Sequence, residues 1–378
     1  MKMAGLEKLI SYEQAALEPE TELMLIENGS QITLKPLDGL AFLYHADGEP
    51  GHSGVQFFSA LQEAINLAPV YCAGTHLLDY STRKFGTSSL LHIGEWGPGI
   101  SVCQPPQEIV FAPELTVDFW ARFATLNTGG QERALVDRYR NCGSVVNSWL
   151  IFMIDGELGM RLNTTQGAVI LQTSGLNLAV NTWYHVRAGW SEVQQAACIF
   201  LDGEPAAEAG FEGTVRDSLS LNYQSPLEIL YSSLAQNVWL DELRIFNSFQ
   251  AEPFLPPTAP TMPFSRNMPK AVVSLETGFN RAKWLPAGLC FLDESDFENQ
   301  GILLRLDADD DQTPDFSGPL LKLAEARELA PLTGKWLHLE FSFISDGDIR
   351  PTLSSGKINV QTENHILPRR EPEIIPRC

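Results

Sequence analysis

Residues 115–123 read "LTVDFWARF". Val117, Phe119, Ala121 and Phe123 alternate with Thr116, Asp118, Trp120 and Arg122. A period of two places the first set on one face of a β-strand and the second on the other. The same texture runs from about residue 86 to 250, in "SSLLHIG" (88–94), "SWLIFMIDGELGMRL" (148–162), "AVILQTS" (168–174), "WYHVRAGW" (183–190), "AACIFLDG" (196–203), "PLEILYSS" (226–233) and "VWLDELRIF" (238–246). Short alternating runs separated by Gly, Asn and Asp, with almost no helical period, predict an antiparallel sandwich. "IDGELG" (154–159) and "LDGEP" (201–205) carry Asp-Gly, a strong hairpin signal.

The flanks differ. Residues 1–85 read as a mixed region. Here "AGLEKLISYEQAALE" (4–18) and "VQFFSALQEAINLA" (55–68) are expected as helices, with strand-like pieces between them. Residues 251–270 hold six prolines in twenty positions and read as a semi-rigid, extended linker. "AVVSLE", "GILLRLDAD", "KWLHLEFSFIS" and "GKINVQ" then predict a second, smaller β-sandwich over 271–362. The tail, 363–378, is rich in proline and charge.

Of 378 residues, 47 are acidic and 26 basic, giving a formal charge of -21. Nucleic acid and anionic membrane surfaces would repel such a chain, so neither is an expected partner. No run approaches the roughly 20 apolar residues of a membrane helix. The first twenty residues lack the apolar run of a signal peptide, because Glu7, Lys8, Glu13 and Glu18 interrupt it. The six cysteines form no CxxC pair, so a zinc site is not expected and the thiols are taken as reduced.

Several stretches in order resemble the laminin-G-like, concanavalin A-like jelly roll. They are "KFGTSSLLHIG" (84–94), "LTVDFWARF", "NTWYHVRAGW" (181–190), "AACIFLDGEP" (196–205) and "VWLDELRIF". "GKWLHLEFSFISDGDIRPTLSSGKINVQ" (334–361) is similar to the strand pair that closes small sandwiches in bacteriophage tail and virion proteins. The resemblance implies an all-β protein without catalysis: a phage-type virion component of the tail, fibre, baseplate or capsid decoration. It would be assembled in the host cytoplasm as a homo-oligomer or repeated subunit, beside other virion proteins, and would contact a host glycan. A cellular carbohydrate-binding module or glycosidase accessory protein is the alternative.

The candidate site residues carry bland readings beside sharp ones. His185 lies mid-strand with no nucleophile beside it in the sequence, and is expected to be framework. Asp202 is a turn residue before Gly203. Asp241 and Glu242 would face opposite sides of their strand. The resemblance implies that Asp241 helps hold a structural calcium with main-chain oxygens near residues 90–94. Asp307, Asp309 and Asp311 alternate as at the start of a calcium loop, but lack its glycine and distal glutamate. "ESDFE", 294–298, spells the Glu-x-Asp-x-Glu of β-glucanases but reads as an acidic loop outside the jelly roll. Trp120, Trp149, Trp190 and Trp239 offer aromatic faces for sugar, and most are expected in the core.

Overall fold

The computed structural model describes the chain except for residues 1–3, 11, 13–14, 19–22, 27–30, 37–38, 49–50, 58–59, 63, 66–68, 73–75, 94–99, 103–104, 106, 111, 139–140, 143–144, 147, 216–225, 231–236, 265–266, 277–281, 299–300, 346–350 and 363–378. The chain is nearly all β. It divides into two compact units, one of residues 38–263 and one of residues 1–37 with 264–378.

The larger unit is a two-sheet sandwich. The strand Glu114–Phe123 forms in the first sheet and pairs antiparallel with Trp183–Ser191 on one side and Val238–Phe246 on the other. Ala196–Leu201 and Glu204–Gly210 extend that sheet in one direction, and Ser89–His92, His76–Asp79 and Val55–Phe57 in the other. Leu40–Tyr44 also pairs with Val238–Phe246. The second sheet is centred on Arg133–Asp137, Trp149–Ile154 and Glu157–Thr164. The predicted alternation holds at its starting point. Leu115, Val117, Phe119, Ala121 and Phe123 enter the core between the sheets, with Trp149, Ile151, Val186, Trp190, Leu240 and Ile245. Apolar area removed from water stabilises such a core by roughly 25 cal/mol per Å².

Both expected helices are strands instead. Residues 4–18 form Ala4–Ile10 and Ala16–Glu18. The described part of 55–68 forms Val55–Phe57 and Ala60–Gln62. Ala4–Ile10 pairs along its whole length with Gly356–Thr362, some 350 residues away. That non-local ladder satisfies the backbone more completely than an isolated short helix, which is marginal in water.

The domain boundaries move for the same reason. The expected mixed region 1–85 splits: residues 1–37 complete the C-terminal unit, and 38–85 belong to the sandwich. The expected linker 251–270 splits at 263/264. Its first part lies against the sandwich sheet. Phe254 N–H donates to Gly203 O at 3.2 Å, and the Phe254 ring packs on His185 and Phe200. Gly203 sits at φ +87°, and a Cβ there would meet Phe254 O at 1.9 Å, so only glycine fits beneath this segment.

The C-terminal unit holds the sheet Ala4–Ile10, Gly356–Thr362, Ala282–Phe291, Leu332–Gly334. It also holds the sheet Ala16–Glu18, Lys270–Glu276, Trp336–Phe343, Ile302–Asp309. Its own core includes Trp284, Phe297, Leu339 and Phe341. The tail 363–378 lies outside the described residues.

Candidate functional site

Three cross-strand rows on the outer face of the larger unit's first sheet bring its charged and aromatic residues together. In the first row Asp118 stands opposite Arg187 and opposite Arg244. Arg244 Nε donates to Asp118 Oδ1 at 2.6 Å, and Arg187 Nη2 donates to Oδ2 at 3.0 Å. The carboxylate is fully buried. A buried charge persists only when it is paired and hydrogen-bonded, as here. Arg187 Cζ lies 3.4 Å over the Phe254 ring, so the proline-rich segment shuts this row from water.

In the second row Trp120 stands opposite His185 and Asp241. His185 lies mid-strand with 0% exposure. Its Nε2 accepts from Arg244 Nη2 at 3.0 Å, since a guanidinium only donates. Burial is the main cause that lowers its pKa to about 4, so it is neutral at physiological pH. Asp202 is the expected turn residue, at φ +51°, and its Oδ1 accepts from His185 N–H at 2.8 Å.

Asp241 and Glu242 correct the expectation of opposite faces. The pairing with Glu114–Phe123 shifts register between Asp118 and Trp120. Leu240 and Leu243 both enter the core, so the two acids between them share the outer face, and Glu242 takes φ +52°. Glu242 is held by His45 Nδ1 at 2.5 Å and by Thr261 N–H at 2.9 Å. Asp241 Oδ2 accepts from the amides of Lys84 and Phe85, at 2.8 and 3.1 Å. The calcium reading drew its main-chain oxygens from residues 90–94; the groups that meet Asp241 Oδ2 are instead the amides of Lys84 and Phe85. Burial raises the Asp241 pKa well above the ordinary carboxylate range.

The third row is Trp183, Arg122, Trp239, with Arg122 directly opposite each tryptophan. Arg122 Cζ lies 4.9 Å from the Trp239 ring centroid. Trp239 Nε1 donates to Asp79 Oδ2 at 2.8 Å, which fixes the indole. Trp183 is half-buried and packs against the cluster of Leu77, Leu91 and Trp239. Of the four tryptophans singled out in the sequence, Trp149 and Trp190 lie in the core, and Trp120 and Trp239 are buried on the outer face. The half-exposed indole is Trp183, which sequence reasoning passed over. Alternation puts it on one strand face with His185 and Arg187; strand register set it beside Arg122.

In the C-terminal unit the three aspartates do not converge. Asp309 Oδ1 accepts from Asp311 N–H, Asp311 Oδ1 from Thr313 N–H, and Asp307 Oδ2 from Asp315 N–H. Among the described residues no group of three or more His, Cys, Asp or Glu is placed to hold a metal. The "ESDFE" stretch is not a loop throughout: Ser295–Glu298 is one helical turn, with Phe297 in the core. Glu294 pairs with Arg327, and Asp296 accepts from Thr352 N–H at 2.6 Å. Two of the three acids of the glucanase spelling are thus committed to separate structural partners, and the third, Glu298, is exposed.

His338 forms a chain that has catalytic chemistry in its composition. Two acceptors, Asp309 Oδ1 and Asp311 O, each 3.3 Å away, place its proton on Nε2. Nδ1 then accepts from Ser274 Oγ at 2.7 Å. A nucleophile's base must also hand its proton to a leaving group, and His338 has 0% exposure. Ser274 is therefore expected to stay unlabelled by a fluorophosphonate probe under conditions that label a serine hydrolase. Labelling lost in His338→Gln would show a working nucleophile.

Residues 100–249 match the family model described as the concanavalin A-like lectin/glucanases superfamily. That segment contains all three rows, and the larger unit is a lectin-like jelly roll. Solved structures with similar folds include the binding domain of a paraclostridial mosquitocidal protein, 17% identical with TM-score 0.44, covering 56% of this chain and 50% of that one. The receptor binding domain of botulinum neurotoxin C/D mosaic serotype is 13% identical with TM-score 0.42, covering 57% and 49%. The binding domain of botulinum neurotoxin DC in complex with SialylT is 15% identical with TM-score 0.43, covering 56% and 49%. The matched region spans about half the length of each of these chains. No match was found among the curated proteins.

Proposed function

We propose that this is a non-catalytic, glycan-contacting protein and a component of a phage-type virion, present there as a repeated subunit. The observation that carries the glycan reading is the Trp183–Arg122–Trp239 row. It sets a half-exposed indole beside a guanidinium, next to rows whose acids, Asp118, Asp241 and Glu242, are already bonded to arginines, amides or histidine. Aromatic faces with a few fixed polar groups are what small-ligand sites are made of. A glucanase instead needs two carboxyl groups free to act as acid and as base or nucleophile. Asp118, Asp241 and Glu242 are not free in that sense.

Trp183→Ala is expected to weaken binding on a glycan panel by about tenfold or more, equal to about 1.4 kcal/mol, with the fold retained and the melting temperature lowered only modestly. Binding that survives the substitution would place the contact elsewhere. The virion assignment draws on the similarity of residues 334–361 to phage tail and virion sandwiches, and immunogold electron microscopy of intact particles tests it. The alternative, a cellular carbohydrate-binding module, draws on the family match of residues 100–249. It would leave the particles unlabelled.

A further inference from the structure

We infer that the Trp183–Arg122–Trp239 row takes a sugar bearing a carboxylate. This rests on the glycan-contact reading above and names the ligand class of the same site. Arg187 and Arg244 are both matched by Asp118. Arg122, four residues along from Asp118, forms no hydrogen bond or ion pair with a described residue, and its Nε is buried without a partner. Its contact is the face of Trp239.

The acid that reaches this row from a neighbouring strand, Asp79, is already in use. Asp79 Oδ1 accepts from the amides of Ser81 and Thr82, at 2.8 and 3.1 Å. Its Oδ2 accepts from the Trp239 indole. In a chain with 47 acids and 26 bases carboxylates are plentiful, yet no described carboxylate is bonded to Arg122. A guanidinium is a rigid fork that matches a carboxylate with two parallel hydrogen bonds, and removal of water strengthens that pairing. Trp239 holds the fork in place from one side. Trp183 offers an apolar face on the other, where the C–H face of a sugar ring can lie while its carboxylate meets Arg122. The long-range field of a chain with charge -21 repels anions, so a carboxylate-bearing sugar binds by this local fork and not by general attraction.

The test uses the full chain and a matched pair of probes: a glucuronate-containing oligosaccharide and the same oligosaccharide with its carboxyl groups reduced to alcohols. Affinities are measured by calorimetry or glycan array for the native protein, Arg122→Gln, Arg122→Lys and Trp183→Ala. The acidic probe is expected to bind at least tenfold tighter than the reduced one. Arg122→Gln should remove that difference, Arg122→Lys should restore only part of it, and Trp183→Ala should weaken both probes. Melting temperatures identify any variant that has lost its fold, and Arg122→Lys keeps the charge if Arg122→Gln fails on stability alone. Equal affinity for the two probes, or equal loss of both in Arg122→Gln, overturns the carboxylate inference and leaves glycan contact standing. Binding of neither probe, nor of any member of a wider neutral panel, overturns the glycan reading itself.

Discussion

Asp118→Ala is expected to destabilise the larger unit by about 3–5 kcal/mol, the range for removing one partner of a buried ion pair. The cost comes less from the lost attraction than from what remains. Arg187 and Arg244 are each 8% exposed, and both would keep their charge with no carboxylate in reach. Burial already lowers the Arg187 pKa, and Asp118 is the main influence opposing that. Urea denaturation followed by tryptophan fluorescence measures the loss. A second variant separates the two causes. Asp118→Leu combined with Arg187→Met and Arg244→Leu removes all three charges, and should recover most of the stability, since apolar replacements of buried ionic groups are often neutral or better. A loss under about 1 kcal/mol in Asp118→Ala would show that the three residues are not buried together.

Acid should weaken the same unit through His185. Its folded pKa is about 4, below the unfolded value of 6.5. Between those values the unfolded chain binds the extra proton, so stability falls as pH falls. The contribution is complete above pH 6.5 and is lost progressively down to about pH 4. At 1.36 kcal/mol per pKa unit it amounts to about 3 kcal/mol. Asp241 acts in the opposite sense: its raised pKa favours the folded state at lower pH, with stability decreasing as pH rises above the ordinary carboxylate range. The informative quantity is therefore the difference between the native chain and His185→Gln, measured by thermal melting from pH 4 to pH 7.5. That difference should change across the window from 6.5 to 4 and be flat above it. A flat difference throughout would mean that His185 is reached by water. Glycan binding abolished in His185→Gln at an unchanged melting temperature would mean that the histidine belongs to the ligand site.

Alternation alone made the central strands legible. "LTVDFWARF" and "WYHVRAGW" each announce which residues face the core and which face outward, because the period of two is a property of every extended chain. The same local chemistry identified Asp202–Gly203 as a turn. Periodicity misled at 4–18 and 55–68, where spacing suited to a helix lost to pairing with distant strands. Proline content suggested a free spacer at 251–270, but composition cannot show that Phe254 finds a seat between Arg187 and Gly203.

The sequence by itself determined a β-sandwich in the middle of the chain, a second β unit after it, and the like-facing sets Asp118, Trp120, Arg122 and Trp183, His185, Arg187. Only the tertiary structure decided that Arg122 lies between Trp183 and Trp239, that Asp118 meets two arginines, and that a bulge turns Asp241 and Glu242 to one side. The physical reason is that facing is fixed within a strand, whereas neighbours are fixed by register between strands far apart in sequence. A one-residue shift in that register exchanges every partner.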